Sequence, residues 1–312
     1  MKYRAFTRLI TAGLLALIVL CNAGLAVAEY GTASNPLRVM LIPADGGTES
    51  GTRADFEPLF NAVSRSTDLH FNIRVGQSYG AVIEAINSNL VDIAFFGPVS
   101  YVQARQRGGA ELLGVAVDKG SSVYYAGIFV PANSPVKSIT DLKGKRVSFG
   151  DVNSSSSFTY QVAMMLQSGL DPARDLGEVR MTGSHSNSLM ALSEGLVDAA
   201  CLSFDSYEKA VNQKLIDPSR FRVLVKSDPI PNPPLALNTK LPKQLKAQLK
   251  KAFGEVHKAP GIRPEMVRGY GGKKVDRYDT AFTEAQFAKP AATLAKVTDE
   301  IKAAMLRRTS QR

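Results

Sequence analysis

Short apolar runs of strand length alternate with helically spaced apolar residues along most of this chain. That alternation restricts it to a mainly parallel sheet with helices on both faces. Leu37 to Ile42 reads as a strand, Gly46, Gly47 and Gly51 mark a loop, and Phe56, Leu59, Phe60 and Val63 then recur at helical spacing. Phe71 to Val75 alternates as a second strand. A helix from about Gly80 to Ser88 leads to a buried type of strand, Val91 to Phe96, which stops at Gly97-Pro98. Another helix and the strand Leu112 to Val117 complete a first α/β unit.

The series begins again after Tyr124 to Val130. It runs through a strand at Arg146 to Phe149, a helix from about Ser156, a strand at Val179 to Met181 and a helix from Asn187. Strands at Val197 to Ala200 and Phe221 to Val225 follow. Proline locks φ and has no N–H to give a ladder, so Pro229 to Pro234, four prolines in six residues, reads as an extended connector and not as a central strand. The chain thus leaves its first unit near Ile128 and returns near Leu235. The expected architecture is α/β: two Rossmann-like lobes joined by a two-strand hinge, the first built from residues 29–127 and 233–312 and the second from 128–232. The Lys-rich helical tail from Pro242 is expected to pack on the first lobe. A faint echo links the two units: Asn89-Leu90-Val91-Asp92-Ile93-Ala94 matches Gly195-Leu196-Val197-Asp198-Ala199-Ala200, each a helix end, a tight turn and a strand opening on Val-Asp. Two such matches leave duplication and coincidence both open.

The amino terminus carries Lys2, Arg4 and Arg8, an apolar run from Leu9 to Leu20, and Ala26-Val27-Ala28 before Glu29. That order is the anatomy of a secretory signal peptide spanning residues 1–28, cleaved after Ala28 into the periplasm. The run is too short to span a hydrocarbon core of about 30 Å as a helix. A lipid anchor at Cys21 is disfavoured because Leu20 precedes it where a small residue is needed. The leader holds three cations and no acid, so its removal lowers the formal charge from +10 to +7. Such a charge suits solubility or a preference for anions. No basic run is interleaved with aromatics, so nucleic acid is not an expected partner. Only Cys201 remains after cleavage, which rules out an internal disulfide.

The chemistry concentrates at two helix starts. Gly150-Asp151-Val152-Asn153-Ser154-Ser155-Ser156-Ser157-Phe158 follows a strand and precedes an apolar helical pattern. Serine hydroxyls there sit beside free N–H groups and the positive end of the helix dipole, an anion site that needs no cation. One serine is ordinarily just a cap, but a run of four exceeds what capping requires. Gly183-Ser184-His185-Ser186 repeats the arrangement, and a protonated His185 would donate from both ring nitrogens. Asp205 lies just past a strand end, where open α/β sheets place ligands, and reads equally as the cap of the next helix. Tyr79 and Tyr124 fall near lobe edges, where packing is the commoner role. No catalytic constellation accompanies them: the three His show no H-x-x-x-H spacing, Gly-x-Ser-x-Gly and the P-loop are absent, and no metal, cofactor or enzymatic activity is expected.

Several of these stretches resemble the periplasmic phosphonate/phosphite-binding proteins of ABC importers, within the type II periplasmic binding protein fold. They are Gly47-Thr48-Glu49-Ser50, Tyr79 to Ile83 leading to Val91-Asp92-Ile93-Ala94, and Ser134-Pro135 through Asp141-Leu142-Lys143-Gly144-Lys145. Phe149 to Phe158 and Gly183-Ser184-His185 complete the set and are its specific members. The resemblance implies that Ser154, Ser155 and His185, beside Ser156, hold phosphorus oxygens, with Tyr79 and Tyr124 as hydroxyl donors or aromatic walls. It places Asp205 where phosphonate binders keep an acid for a ligand amine, a position that equally accepts the proton of a monoanionic phosphite. Ser157 and Gln161 depart from the family's small residue and proline, and Pro233 stands where some aminophosphonate binders carry a second acid. The expected protein is a monomer that passes a small anionic phosphorus ligand to permease and ATPase subunits. The rival readings are a same-fold binder of a sulfonate, a pyrimidine precursor or phosphate, and a periplasmic hydrolase using His185 and a serine.

Overall fold

A computed structural model describes residues 30–43 and 48–309 of the chain. The leader and its cleavage point, together with Gly46 and Gly47, lie outside the described residues. In the first unit β1 (Leu37–Leu41) is followed by α1 (Glu49–Ser66), β2 (Phe71–Val75), α2 (Tyr79–Asn87), β3 (Ile93–Phe95), α3 (Pro98–Gln106) and β4 (Ala110–Val117). Leu37, Val39 and Leu41 of β1 are buried while Arg38 between them is exposed, the period of two that a strand imposes. In α1 the buried Phe56, Leu59, Phe60 and Val63 form the inward stripe, and Thr48 caps the helix by accepting from the Gly51 N–H at 3.0 Å.

The chain then crosses through β5 (Val123–Tyr124) into β6 (Ala126–Pro131). The second unit continues with β7 (Arg146–Phe149), α4 (Tyr160–Gln167), β8 (Glu178–Met181), α5 (His185–Ser193), β9 (Ala199–Ser203), α6 (Phe204–Asn212) and β10 (Phe221–Lys226). It returns through β11 (Ile230–Pro231) to β12 (Pro234–Asn238), α7 (Lys243–Glu255), β13 (Arg277–Asp279), α8 (Ala288–Lys296) and α9 (Asp299–Thr309).

Two main sheets result, ordered β13-β4-β12-β3-β1-β2 and β10-β6-β9-β7-β8, with β5 and β11 paired between them as a separate antiparallel ribbon. The duplication hinted at by the sequence is explicit here. In each unit the opening strand lies parallel between two successors, β1 between β2 and β3, and β7 between β8 and β9. The next strand inward is antiparallel and is the one that has just crossed from the other unit: β12 beside β3, and β6 beside β9. The Val-Asp echo explains itself in the same terms. Asp92 Oδ2 accepts from the Arg38 N–H at 2.8 Å and its Oδ1 from the guanidinium at 2.7 Å. Asp198 repeats both contacts with Arg146 at 2.9 and 2.8 Å. The residues that turn from helix to strand, Asn89 (φ 59°) and Gly195 (φ 70°), both adopt the left-handed conformation.

Burial follows the layering. Ile128 and Val130 of β6 pack into one core with Phe149, Phe158 and Met165, while Phe129 faces the opposite core with Leu189, Leu192 and Leu202. A sheet covered on both faces needs such continuous apolar strands. The sequence reading requires two corrections. Pro234 opens β12, a central strand, because a proline at a strand's first residue removes no bond that the interior of the ladder requires. The tail does not stay with the first unit. Leu245, Leu249 and Phe253 of α7 join the first core, but Val297 and Met305 join the second. Arg308 of α9 also donates to the Ala173 and Gly177 carbonyls at 3.2 and 3.1 Å. β8 is an edge strand, and α9 covers it; an uncovered edge would be open to pairing with other chains.

Candidate functional site

The carboxyl ends of the strands in both units converge on helix starts, and serine caps four of them. Ser78, Ser154, Ser184 and Ser203 accept from the N–H of Ala81, Ser157, Asn187 and Ser206 at 3.1–3.2 Å. Ser154 is therefore the cap of its segment, and the hydroxyls beyond capping needs are those of Ser155 and Ser156. The segment opens with a π-helical turn over Ser155–Thr159 before α4 begins. Wider turns of this kind are rare overall and are frequent at functional sites. Gly150 makes the turn possible: a Cβ there would lie 2.2 Å from the Ser157 hydroxyl.

The two units meet over this turn. Ser155 Oγ accepts from the Val99 N–H of α3 at 2.8 Å, which leaves its own proton to donate. Asp151 Oδ2 accepts from the Tyr79 N–H at the start of α2 at 3.2 Å, and its Oδ1 from the Asn153 N–H at 2.8 Å. Burial pushes the Asp151 carboxyl upward against these backbone bonds. Tyr124, from the crossing strand, interacts with Ser156 and Ser155; burial, the largest influence, raises its phenol well above the usual range, so it is a donor at physiological pH. Ser154, Ser155, Ser156, His185, Tyr79 and Tyr124 are each no more than 5% exposed, so the units are closed upon one another.

His185 opens α5 and departs from the reading of two ring donors. Its Nδ1 accepts from the Ser203 N–H at 3.0 Å, so the proton of the neutral ring sits on Nε2. Asp205 is not the cap of α6, a role that Ser203 fills; it lies in the first turn, 3.4 Å from Lys273 Nζ. That ammonium also stands 2.6 Å from Asp118. Burial depresses it, but the two carboxylates outweigh burial and its pKa is raised. The structure thus brings Ser154, Ser155, Ser156, His185, Tyr79 and Tyr124 around one closed cleft, with Asp205 at its flank.

Sequence reasoning missed Tyr270 and Lys273. Both come from a turn of the first unit, where Gly271 (φ 64°) and Gly272 (φ 73°) are left-handed. Gly272 also has no room for a side chain, since a Cβ would lie 2.5 Å from Asp55 Oδ1. The Tyr270 ring lies 6.1 Å from His185 and 5.8 Å from Tyr124, and its hydroxyl reaches Ser206 Oγ at 3.2 Å. The Tyr270-Gly271-Gly272 tripeptide was the available signal.

A two-lobed clamp with serine-lined helix starts in its cleft is a design shared by many binding proteins, so comparison with known families is decisive. Residues 47–281 match the family described as ABC transporter, phosphonate, periplasmic substrate-binding protein. The chain belongs to this family. As a member of it, the binding protein is 27% identical over 272 residues to the phosphate-import protein PhnD of Mycolicibacterium smegmatis, covering 82% of this chain and 84% of that one. Its fold matches the binding-protein component of a phosphonate ABC transporter from Pseudomonas aeruginosa with a TM-score of 0.73 at 19% identity, covering 88% and 95% of the two chains. It also matches PhnD1 of Prochlorococcus marinus, solved with methylphosphonate, with a TM-score of 0.70 at 16% identity over 84% and 97%. The binding protein is thus a transport component of a periplasmic family, with the two-lobed type II fold.

Proposed function

We propose that this binding protein captures a small phosphorus oxyanion in the cleft and delivers it to the permease and ATPase subunits of an ABC importer. The observation that carries the reading is the closed cluster itself: Ser155 and Ser156 at a helix start, His185 Nε2–H at a second, and the protonated phenol of Tyr124, all buried together. Every group named is a hydrogen-bond donor, and none carries a formal charge. Helix-start N–H groups supply the positive potential, and donors to an ionised oxygen are about twice as strong as neutral pairs. Ser154 and Tyr79 complete the ligand wall. A relative named for phosphate import and a neighbour solved with methylphosphonate accord with this ligand class.

The lobes are assigned to residues 29–127 with the chain from 233, and to 128–232, with α9 as an added layer on the second lobe. The β5–β11 ribbon is the hinge about which they close. The protein works as a monomer, exported by its amino-terminal leader. Calorimetric titration of the ligand-stripped mature protein with phosphite, methylphosphonate and phosphate tests the reading. At least one is expected to bind at about micromolar Kd or tighter, and Ser155→Ala and His185→Ala to weaken it at least about tenfold with the fold intact. Silence across the three compounds, or unchanged affinity in both variants, would sink it.

A further inference from the structure

The side of the cleft beyond Tyr270 carries a second recognition feature. A ligand amine needs a carboxylate partner, and the acids at this side, Asp118 and Asp205, line one cavity of about 20 Å³ together with Asn232, Pro233, Tyr270 and Lys273. That volume holds about one water molecule, and Asp205, Tyr270 and Lys273 also border a larger cavity of about 520 Å³, so charge and not space decides what this end of the cleft accepts. Lys273 Nζ enters this end of the cleft, 2.6 Å from Asp118 and 3.4 Å from Asp205. Its stem is anchored by the glycine turn of the first lobe, so the ammonium is delivered across the lobe boundary to an acid of the second. Tyr270 from the same turn stands between this cavity and His185, with its ring 6.1 Å from the imidazole.

We infer that Lys273 takes the place of a ligand ammonium and that Tyr270 walls its pocket off from the anion cluster, so the site selects a compact phosphorus oxyanion bearing no amine. The inference rests on the phosphorus-oxyanion reading and narrows it. An amine on the ligand has to be stripped of water, and here its counter-charges are already engaged by an ammonium belonging to the chain. A second ammonium would also meet Lys273 as a like charge a few ångströms away, a repulsion that discriminates between ligands without any new attractive contact.

The test compares methylphosphonate with 2-aminoethylphosphonate by calorimetry on the mature wild type, on Lys273→Met and on the double variant Tyr270→Ala/Lys273→Met. The wild type is expected to prefer methylphosphonate by at least about 30-fold. Removal of the ammonium should shift that ratio at least about tenfold toward the amine, and opening the wall in the double variant should shift it further. A wild type that binds the amine as well as methylphosphonate would overturn the inference, whatever the variants do. So would a ratio that neither variant moves. If the wild type binds neither compound, nor phosphite or phosphate, it is the phosphorus-oxyanion reading that fails, and the inference falls with it.

Discussion

Ser154 and Ser155 are neighbours of identical chemistry with different partners. Ser154 accepts from the N–H of Ser157 within its own turn, whereas Ser155 accepts from Val99 on the other lobe. Losing a cap costs about 1 kcal/mol of stability, so Ser154→Ala is expected to lower the urea midpoint by a corresponding amount. Ser155→Ala leaves the buried Val99 N–H without its acceptor, which should itself cost about 1–3 kcal/mol, and it should also weaken ligand binding at least about tenfold, well beyond the effect of Ser154→Ala. Equal losses of affinity in both variants would refute this division of labour. The serine run and His185 were legible as an anion site because helix starts announce themselves locally. The protonation of His185 was not, since its Nδ1 partner is the backbone of Ser203, 18 residues away at the end of β9. Tyr270 and Lys273 were illegible for the same reason: a glycine turn in the tail reaches the cleft only once both lobes are assembled.

At the scale of elements, the paired Arg-Asp clasps are the clearest trace of duplication. Asp92 is 2% exposed and ties the start of β3 to β1, so Asp92→Ala leaves the Arg38 N–H without its acceptor and is expected to cost about 3 kcal/mol. The side chain of Asp198 is 33% exposed, and its loss should cost only about 1 kcal/mol after solvent screening. Hydrogen bonding from Arg146 holds the Asp198 carboxyl below its usual range. A depressed folded-state pKa contributes stability above the unfolded value of about 3.9 that disappears as the pH falls through the folded value. Urea denaturation between about pH 5 and pH 3 should therefore show a shallower loss of stability in Asp198→Asn than in wild type. Identical acid limbs would contradict the assignment. The Val-Asp echo was visible in the sequence, but its arginine partners required the parallel register of β1 with β3 and of β7 with β9. The edge strand β8 likewise gave no hint that a helix more than a hundred residues later would cover it.

For the whole molecule, alternating strands and helices with a proline-rich return were enough to read two lobes, because periodicity is a local property. Closure is not local, and its contacts come from loops of both lobes. Lys209 meets Asp55 across the boundary at 2.7 Å with both side chains 17% exposed, Tyr270 reaches Ser206, and Asp151 and Ser155 each accept a backbone N–H from the first lobe. These contacts surround the donor cluster, so a ligand held there would be shielded from water and its hydrogen bonds strengthened accordingly. A cavity of about 520 Å³ shares Asp205, Tyr270 and Lys273 with the flank of the cleft and adds Lys209 and Arg268 beside Asp55 and Glu208, so it offers an anion a competing destination. A crystal structure grown with methylphosphonate decides between them. Phosphorus oxygens are expected within hydrogen-bonding distance of Ser155, Ser156, Tyr124 and His185 Nε2, with Lys273 still on Asp205. Methylphosphonate seated instead among Lys209 and Arg268, with the serine turn untouched, would contradict it.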